Sequence, residues 1–397
     1  MKRLFLLLLG AVGTASAQQA AVTGVVRCHD TGGPCRFAGV ELLPEKGATA
    51  TALPKQLGTD AESIKGFAKA LAHSWSQASA LSAVADIDGR FVIDKVPAGT
   101  YYVIAELSGY VSPVSGLSRT DRERADERTL AAVESKATRI VVQADQTSTV
   151  EIELQRGAVL SGSVAYSDGS AAAGVAPVLL VHALDNTWQP VAEVGPQRAQ
   201  VGDHGEFRFY GLPSGDYAVK AELPTTQALT GIGAARLSMH MAPGDALAVY
   251  SGGALRQSEL KPIHLTAGET RSIKLVFPLE GLHVVAGRVV AASDHHPVNT
   301  GIIELQDPAT KAAVRSALLA GDGTFQMRYV PAGEYVLDVT SAGDTQGETG
   351  DLPCALTCRE IRSYTPTSQP LSLQADATGV ELKVADAAGA GGQAPAE

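Results

Sequence analysis

The residues of this chain that could do chemistry are few and scattered. A zinc hydrolase needs His-x-x-Glu plus a distant third ligand, leaving one position open for water. No His here is followed three residues later by Glu; His182 precedes Asp185, which belongs to the loop signal Asp185-Asn186. His295 and His296 are adjacent, so on a strand they would face opposite sides, and they read as a hairpin tip. Asp30-Thr31-Gly32 matches an aspartic-protease triplet, but no second copy exists to share its proton. Ser258 and Lys261 fit Ser-x-x-Lys without the Ser-Asp-Asn or Lys-Thr-Gly boxes that accompany it in penicillin-recognising enzymes. Asp86-x-Asp88-Gly89 could offer oxygens to Ca²⁺, but the pair is absent from the equivalent turns described below, and a turn role suffices. There is no Gly-x-Ser-x-Gly elbow and no phosphate-binding loop. These patterns predict no catalytic residue, no metal ligand and no cofactor.

Four cysteines fall into two local pairs, Cys28 with Cys35 and Cys354 with Cys358. Local disulfides are the expectation; the alternative, one zinc held by four thiolates, is at odds with spacings wider than Cys-x-x-Cys. Trp188, in a loop-like stretch, is the best candidate for an exposed ligand platform, with Tyr250 next. Acids outnumber bases 42 to 32, a net charge of −10, which argues against nucleic acid as a partner. The hydrophobic share of 45% against 19% charged can fill real cores, and 397 residues give a prior of two to three domains.

The elements that must position these residues come from a repeat. Gly-x-Phe, five residues, then Pro-x-Gly-x-Tyr occurs three times. The copies are Gly89, Phe91, Pro97, Gly99, Tyr101; Gly205, Phe207, Pro213, Gly215, Tyr217; and Gly323, Phe325, Pro331, Gly333, Tyr335. Each reads as strand, turn, strand. Asp88, Asp203 and Asp322 supply turn chemistry, and Phe91/Ile93, Phe207/Phe209 and Phe325/Met327 alternate with polar neighbours, so one face is buried. A Gly-x-Val strand precedes each copy, at Gly24, Gly162 and Gly287. A closing strand follows, over 140–154, 263–277 and 371–384. Many short strands punctuated by Gly, Pro and Asp predict an all-β chain of three tandem antiparallel sandwiches.

The first copy is longer. From the Gly-x-Val glycine to the turn glycine it is 65 residues, against 43 and 36 in the others. The extra stretch, 55–81, reads as a helix, with a capping box at Thr59 and Glu62 and with Ile64, Phe67, Leu71, Trp75 and Ala78 at helical intervals. A second helix is expected over 119–136, solvated, with a thin apolar stripe of Ala125, Thr129 and Val133. The resulting division is a leader at 1–17, sandwiches at 18–155, 156–280 and 281–385, and a disordered Gly/Ala-rich tail at 386–397.

The leader has the form of a secretory signal: Lys2 and Arg3, an apolar run from Leu4, then Ala15-Ser16-Ala17. The apolar run is shorter than the ~20 residues that span a bilayer. A periplasmic or extracellular protein is expected, in a compartment that favours disulfides.

The repeated Asp-(x)-Gly-x-Phe and Leu/Val-Pro-x-Gly-x-Tyr signature resembles that of the carboxypeptidase regulatory-like domain, a transthyretin-like sandwich of secreted bacterial proteins. The resemblance covers nearly all of the mature chain. It implies a seven-stranded prealbumin-like Greek key with an accessory role: spacing, stabilising or docking something else. The expected function is therefore a secreted, non-enzymatic array with a structural or protein-interaction role. Its partner would be an envelope or extracellular protein, docked on an open strand edge or on the 55–81 helix. The alternative is a carbohydrate-binding protein, with Trp188 and Tyr250 meeting a polysaccharide; a third reading is an enzyme or enzyme regulator.

Overall fold

The computed structural model describes residues 20–45, 81–124, 126–192, 200–224, 246–346 and 359–387. The leader, residues 55–80 of the helix expected at 55–81, Cys354, Cys358 and the tail beyond 387 lie outside the described residues.

The first part of the chain runs β1 (Ala20–Cys28), β2 (Gly39–Pro44), β3 (Ser82–Val84), β4 (Arg90–Val96), β5 (Gly99–Glu106) and β6 (Tyr110–Val111). Then come α1 (Arg119–Arg124), α2 (Glu127–Glu134), β7 (Thr138–Val142) and β8 (Thr147–Arg156). The second contains β9 (Ala158–Tyr166), β10 (Val178–His182), β11 (Trp188–Pro190), β12 (Gln200–Val201) and β13 (Glu206–Leu212). It continues through β14 (Gly215–Pro224), β15 (Ala246–Tyr250), β16 (Ile263–Leu265) and β17 (Thr270–Phe277). The third holds β18 (Leu282–Ala291), β19 (Thr300–Gln306), β20 (Ala313–Leu318), β21 (Thr324–Pro331), β22 (Gly333–Gln346), β23 (Arg359–Ser363), β24 (Thr367–Leu373) and β25 (Ala377–Val384).

These form six sheets, two per unit, in an all-β fold. In the first unit the orders are β4-β1-β8-β6 and β3-β2-β5-β7. Apart from β6, these strands have counterparts in the other units, as β13-β9-β17 with β11-β10-β14-β16 and as β21-β18-β25 with β20-β19-β22-β24, while β12, β15 and β23 are additions. Inner faces of both sheets meet in one apolar core per unit: Val22, Phe91, Ile93 and Ile152 of the first unit pack with Val40, Leu42 and Val103. Pairing is antiparallel except once per unit, where the first strand lies parallel to the last (β1 with β8, β9 with β17, β18 with β25).

The repeated residues explain the plan. Gly24 pairs with Phe91, Gly162 with Phe207 and Gly287 with Phe325. A Cβ on Gly24 or Gly162 would lie 2.6 or 2.7 Å from the opposing ring, and 2.3 or 2.2 Å from a carbonyl oxygen of the parallel strand; on Gly287 it would lie 2.0 Å from the Val380 oxygen. The glycine thus lets an aromatic ring lie across the strand beside it. Each Pro-x-Gly-x-Tyr turn is closed by its own tyrosine, whose hydroxyl donates to the proline carbonyl: Tyr101 to Pro97 at 2.9 Å, Tyr217 to Pro213 and Tyr335 to Pro331 at 2.8 Å. Burial of the rings pushes all three phenols up, Tyr335 to about 12.

Three expectations are corrected. Each closing strand is two strands in different sheets (β7 and β8, β16 and β17, β24 and β25), because a polar turn, at Asp145 or Gly268 for example, carries the chain across the sandwich. The 119–136 helix is two short helices. Asp126 takes an extended conformation and caps α2, accepting from the Thr129 amide at 3.0 Å, so the first helix stops before it. The segment is otherwise a surface element with a thin buried stripe, as expected: Glu127, Arg128 and Ala131 are exposed, while Thr129 and Val133 are buried, Val133 against Ile104, Val114 and Leu117 on the outer face of the sheet. In the first motif turn, Asp86 rather than Asp88 does the capping, accepting from the amides of Asp88 and Arg90 at 2.8 Å.

Gly162→Ala is expected to destabilise the chain by about 1–3 kcal/mol through overpacking, and Tyr335→Phe by about 1–2 kcal/mol through the lost bond and a stranded carbonyl. Urea unfolding followed by circular dichroism checks both.

Candidate functional site

The residues nominated for chemistry do not converge on one site, and several are bonded within the fold. Asp30 accepts from the Tyr110 hydroxyl at 3.0 Å, and Thr31 turns back to the Gly33 amide at 3.3 Å. The Cys28–Cys35 disulfide forms, with Cα atoms 5.1 Å apart, closing the hairpin around them. Unit two closes the same hairpin with Asp168 and Ser170, and unit three with Asp294 and His296. Ser258 donates to Asp307 of unit three. Burial pushes the Asp307 carboxyl up, but the bonds from Ser258 and the Ala309 and Thr310 amides outweigh it and hold the group low. Among the described residues, no group of three or more His, Cys, Asp or Glu is placed to hold a metal.

Trp188 is half-buried on β11, its ring centroid 4.0 Å from that of His182, and its carbonyl accepts from Gln257 at 3.3 Å. Tyr250 is only 7% exposed, packed with Leu180, Ala218 and Ala254. Both belong to a small second core on the outer face of unit two. It corresponds to the one that Ile104, Val114, Leu117 and Val133 make on unit one. The shared cause is the connector between the motif strand and the closing strands, which folds back over the sheet.

Those connectors also reach the next unit. From unit one, Ser118 bridges Val191 as a short antiparallel pair, and the Leu117 carbonyl accepts from Ala192 at 2.9 Å. Buried Asp121 accepts from Ser118 at 2.7 Å and from the Leu184 amide at 3.1 Å. Gly116, at φ 78°, approaches the Pro213 ring so closely that a Cβ would lie 2.8 Å from it. From unit two, Arg256 stacks 5.6 Å above the Tyr335 ring and donates to the Glu334 carbonyl at 3.2 Å. Arg315 of β20, 1% exposed, donates to the Tyr329 carbonyl at 2.7 Å and to the Ala246 carbonyl of unit two. At both joints the preceding unit thus lands on the Pro-x-Gly-x-Tyr turn and on the third-strand edge. Beside the first joint lies a cavity of about 260 Å³, with Arg119, Lys220 and Glu222 among its lining and an apolar floor of Phe209 and Leu212.

One polar cluster was not foreseen. His296 Nε2 lies 2.8 Å from buried Asp344 and 3.0 Å from the Tyr364 hydroxyl, which itself donates to Asp344 at 2.5 Å. Its Nδ1 meets Asp294. The bonds to Asp344 and Asp294 hold the imidazole above its ordinary value, while burial and the Asp344 bond push the Tyr364 phenol to about 12. Sequence pointed only to a hairpin tip here, and the tip is real, with His295 at φ 61°. The partners lie 48 and 68 residues away, where spacing gives no signal.

No protein-family model matches the chain, and no curated protein matches it. Similar solved structures include a streptococcal ancillary pilin (13% identity, 93% of this chain and 99% of that chain, TM-score 0.26). The minor pilin of Streptococcus agalactiae (11%, 61% and 100%, 0.25) and the major pilin of Bacillus cereus (11%, 93% and 99%, 0.20) are others. Scores this low establish neither a shared overall arrangement nor a shared role.

A histidine held above its unfolded value contributes stability that is complete below about pH 6.5 and fades as pH rises through the raised value. The melting-temperature advantage of wild type over His296→Gln is therefore expected to be largest near pH 6 and to shrink toward pH 9, as read by calorimetry across that range.

Proposed function

We propose that this chain is a non-enzymatic array of three β-sandwich domains with a structural or protein-interaction role. The repeated signature supports reading the domains as carboxypeptidase regulatory-like, with bounds at 18–155, 156–280 and 281–385. The signal-like pattern of residues 1–17 supports export to the periplasm or beyond. Among the described residues, no helix is long and apolar enough to cross a membrane.

The observation that carries this reading is the pair of joints. Each connector is bonded by backbone and buried polar groups onto the next unit, which gives a continuous series rather than beads on loose linkers. Such a series separates its ends and presents repeated sheet surfaces along its length. Among the described residues, no buried side-chain nitrogen or oxygen lacks a hydrogen-bond partner. The packing of Trp188 and Tyr250 into an outer core gives no specific support to polysaccharide binding.

Crosslinking of the exported chain in its native envelope, followed by mass spectrometry, tests the reading. Reproducible crosslinks to one or a few defined proteins are expected. Absence of any recurrent protein crosslink, together with retarded migration in a polysaccharide gel relieved by Trp188→Ala, would replace it with the sugar reading.

A further inference from the structure

Unit one does more at the first joint than rest on unit two. Its connector enters α1 with Ser118 bridged to Val191 and with the Thr120 hydroxyl donating to Gln189 of β11 at 3.5 Å. Arg119, between these two anchors, is carried onto the rim of the cavity of about 260 Å³ that opens beside the joint. That volume lies near the lower end of the range for small-molecule sites, roughly 300–1,000 Å³. Its floor is buried and apolar, from Phe209 and Leu212, and half-buried Val178 and Pro190 form walls. Pro177 and Pro190 have no amide hydrogen, so these two positions offer the cavity no backbone donor. The charged groups are Arg119, Lys220 and Glu222, two cations against one carboxylate. Lys220 is paired with Glu222 at 2.7 Å, and its side chain is only 24% exposed. Among the described residues, the Arg119 guanidinium has no hydrogen-bond or ion-pair partner. An apolar hollow with a surplus positive charge at its mouth is complementary to a carboxylate on an apolar body.

We propose that the joint between units one and two is a binding site for a small organic anion. The ligand is an aliphatic or aromatic carboxylate whose apolar part lies over Phe209 and Leu212 and whose carboxylate meets Arg119 and Lys220. The site is complete only when the two units are joined, because Arg119 comes from unit one and every other lining residue from unit two. A bound anion therefore adds a contact across the joint, beside the bonds made there by the Leu117 carbonyl and Asp121. Ligand and joint are linked: what binds only the joined form stabilises it. The structural reading of the array needs no ligand, so this site goes beyond that reading and can fail without it.

The test uses the full chain and two probes, phenylacetate and hexanoate, each compared with its neutral primary amide by calorimetric titration at low salt. Saturable one-to-one binding is expected for at least one carboxylate, and binding at least tenfold weaker for the matching amide. Arg119→Glu should weaken the carboxylate at least tenfold, and Lys220→Gln should weaken it in the same direction. Arg119 is exposed, so its replacement should leave the melting temperature of the free chain unaltered. If that variant is destabilised, Lys220→Gln and the amide comparison still decide the matter. The bound carboxylate should also slow amide exchange at Leu184 and Ala192, whose amides bond to unit one. No saturable binding by either carboxylate, equal binding of carboxylate and amide, or binding unchanged in both variants overturns the proposal. Saturable binding that leaves exchange at Leu184 and Ala192 unmoved also overturns it, since the ligand would then sit away from the joint.

Discussion

A phenol hydroxyl bound to the carbonyl of a proline four residues upstream, made three times, is the constraint on which the rest of the molecule depends. Proline cannot donate to a ladder, so the chain must leave one sheet there; glycine two residues on lets it re-enter the other. The tyrosine ring then fills the core beneath the turn while its hydroxyl satisfies the one carbonyl the turn would strand. With that corner fixed, the preceding strand holds its phenylalanine across the glycine of the first strand, and the two sheets close on each other.

The same corner shapes the exterior. Its rigid turn is the surface on which Gly116 of unit one meets Pro213, and on which Arg256 of unit two meets Tyr335. Connectors that would otherwise be long surface loops are spread over the outer sheet faces of units one and two, and gain a second apolar contact there. Unit three differs. The outer face of β19 and β22 carries Glu304, Gln306 and Asp338, joined by the Gln306 amide at 3.0 and 3.3 Å. Burial and the neighbouring Glu304 raise the Asp338 carboxyl.

The corner was legible in the sequence because every element of it is local: Pro, Gly and Tyr within five residues, and Phe six residues earlier. Alternation of Phe207 and Phe209 with Glu206 and Arg208 likewise gave the buried face directly. What stayed hidden depends on distance. Asp121 and Arg315 look like ordinary surface charges, and only the folded chain brings Leu184 or Ala246 to them. His296 read as a loop residue because Asp344 and Tyr364 reach it from other strands. The closing segments were read as single strands because apolar alternation continues through them; the change of sheet is carried by turns of a few polar residues. Trp188 looked free because Tyr250, Ala254 and Leu260, which pack with it, come much later in the chain, on the connector that carries Tyr250 itself into the same outer core.

Unit-resolved amide exchange on Tyr217→Phe tests most directly whether the corners hold the whole array. If the corner of unit two anchors both its own core and the connector from unit one, loss of one hydroxyl should speed exchange in β9 and β14 and also in the Gly116–Ser118 connector, with a smaller effect at the Arg256 joint. Faster exchange confined to β14, with the connector unmoved, would contradict the account.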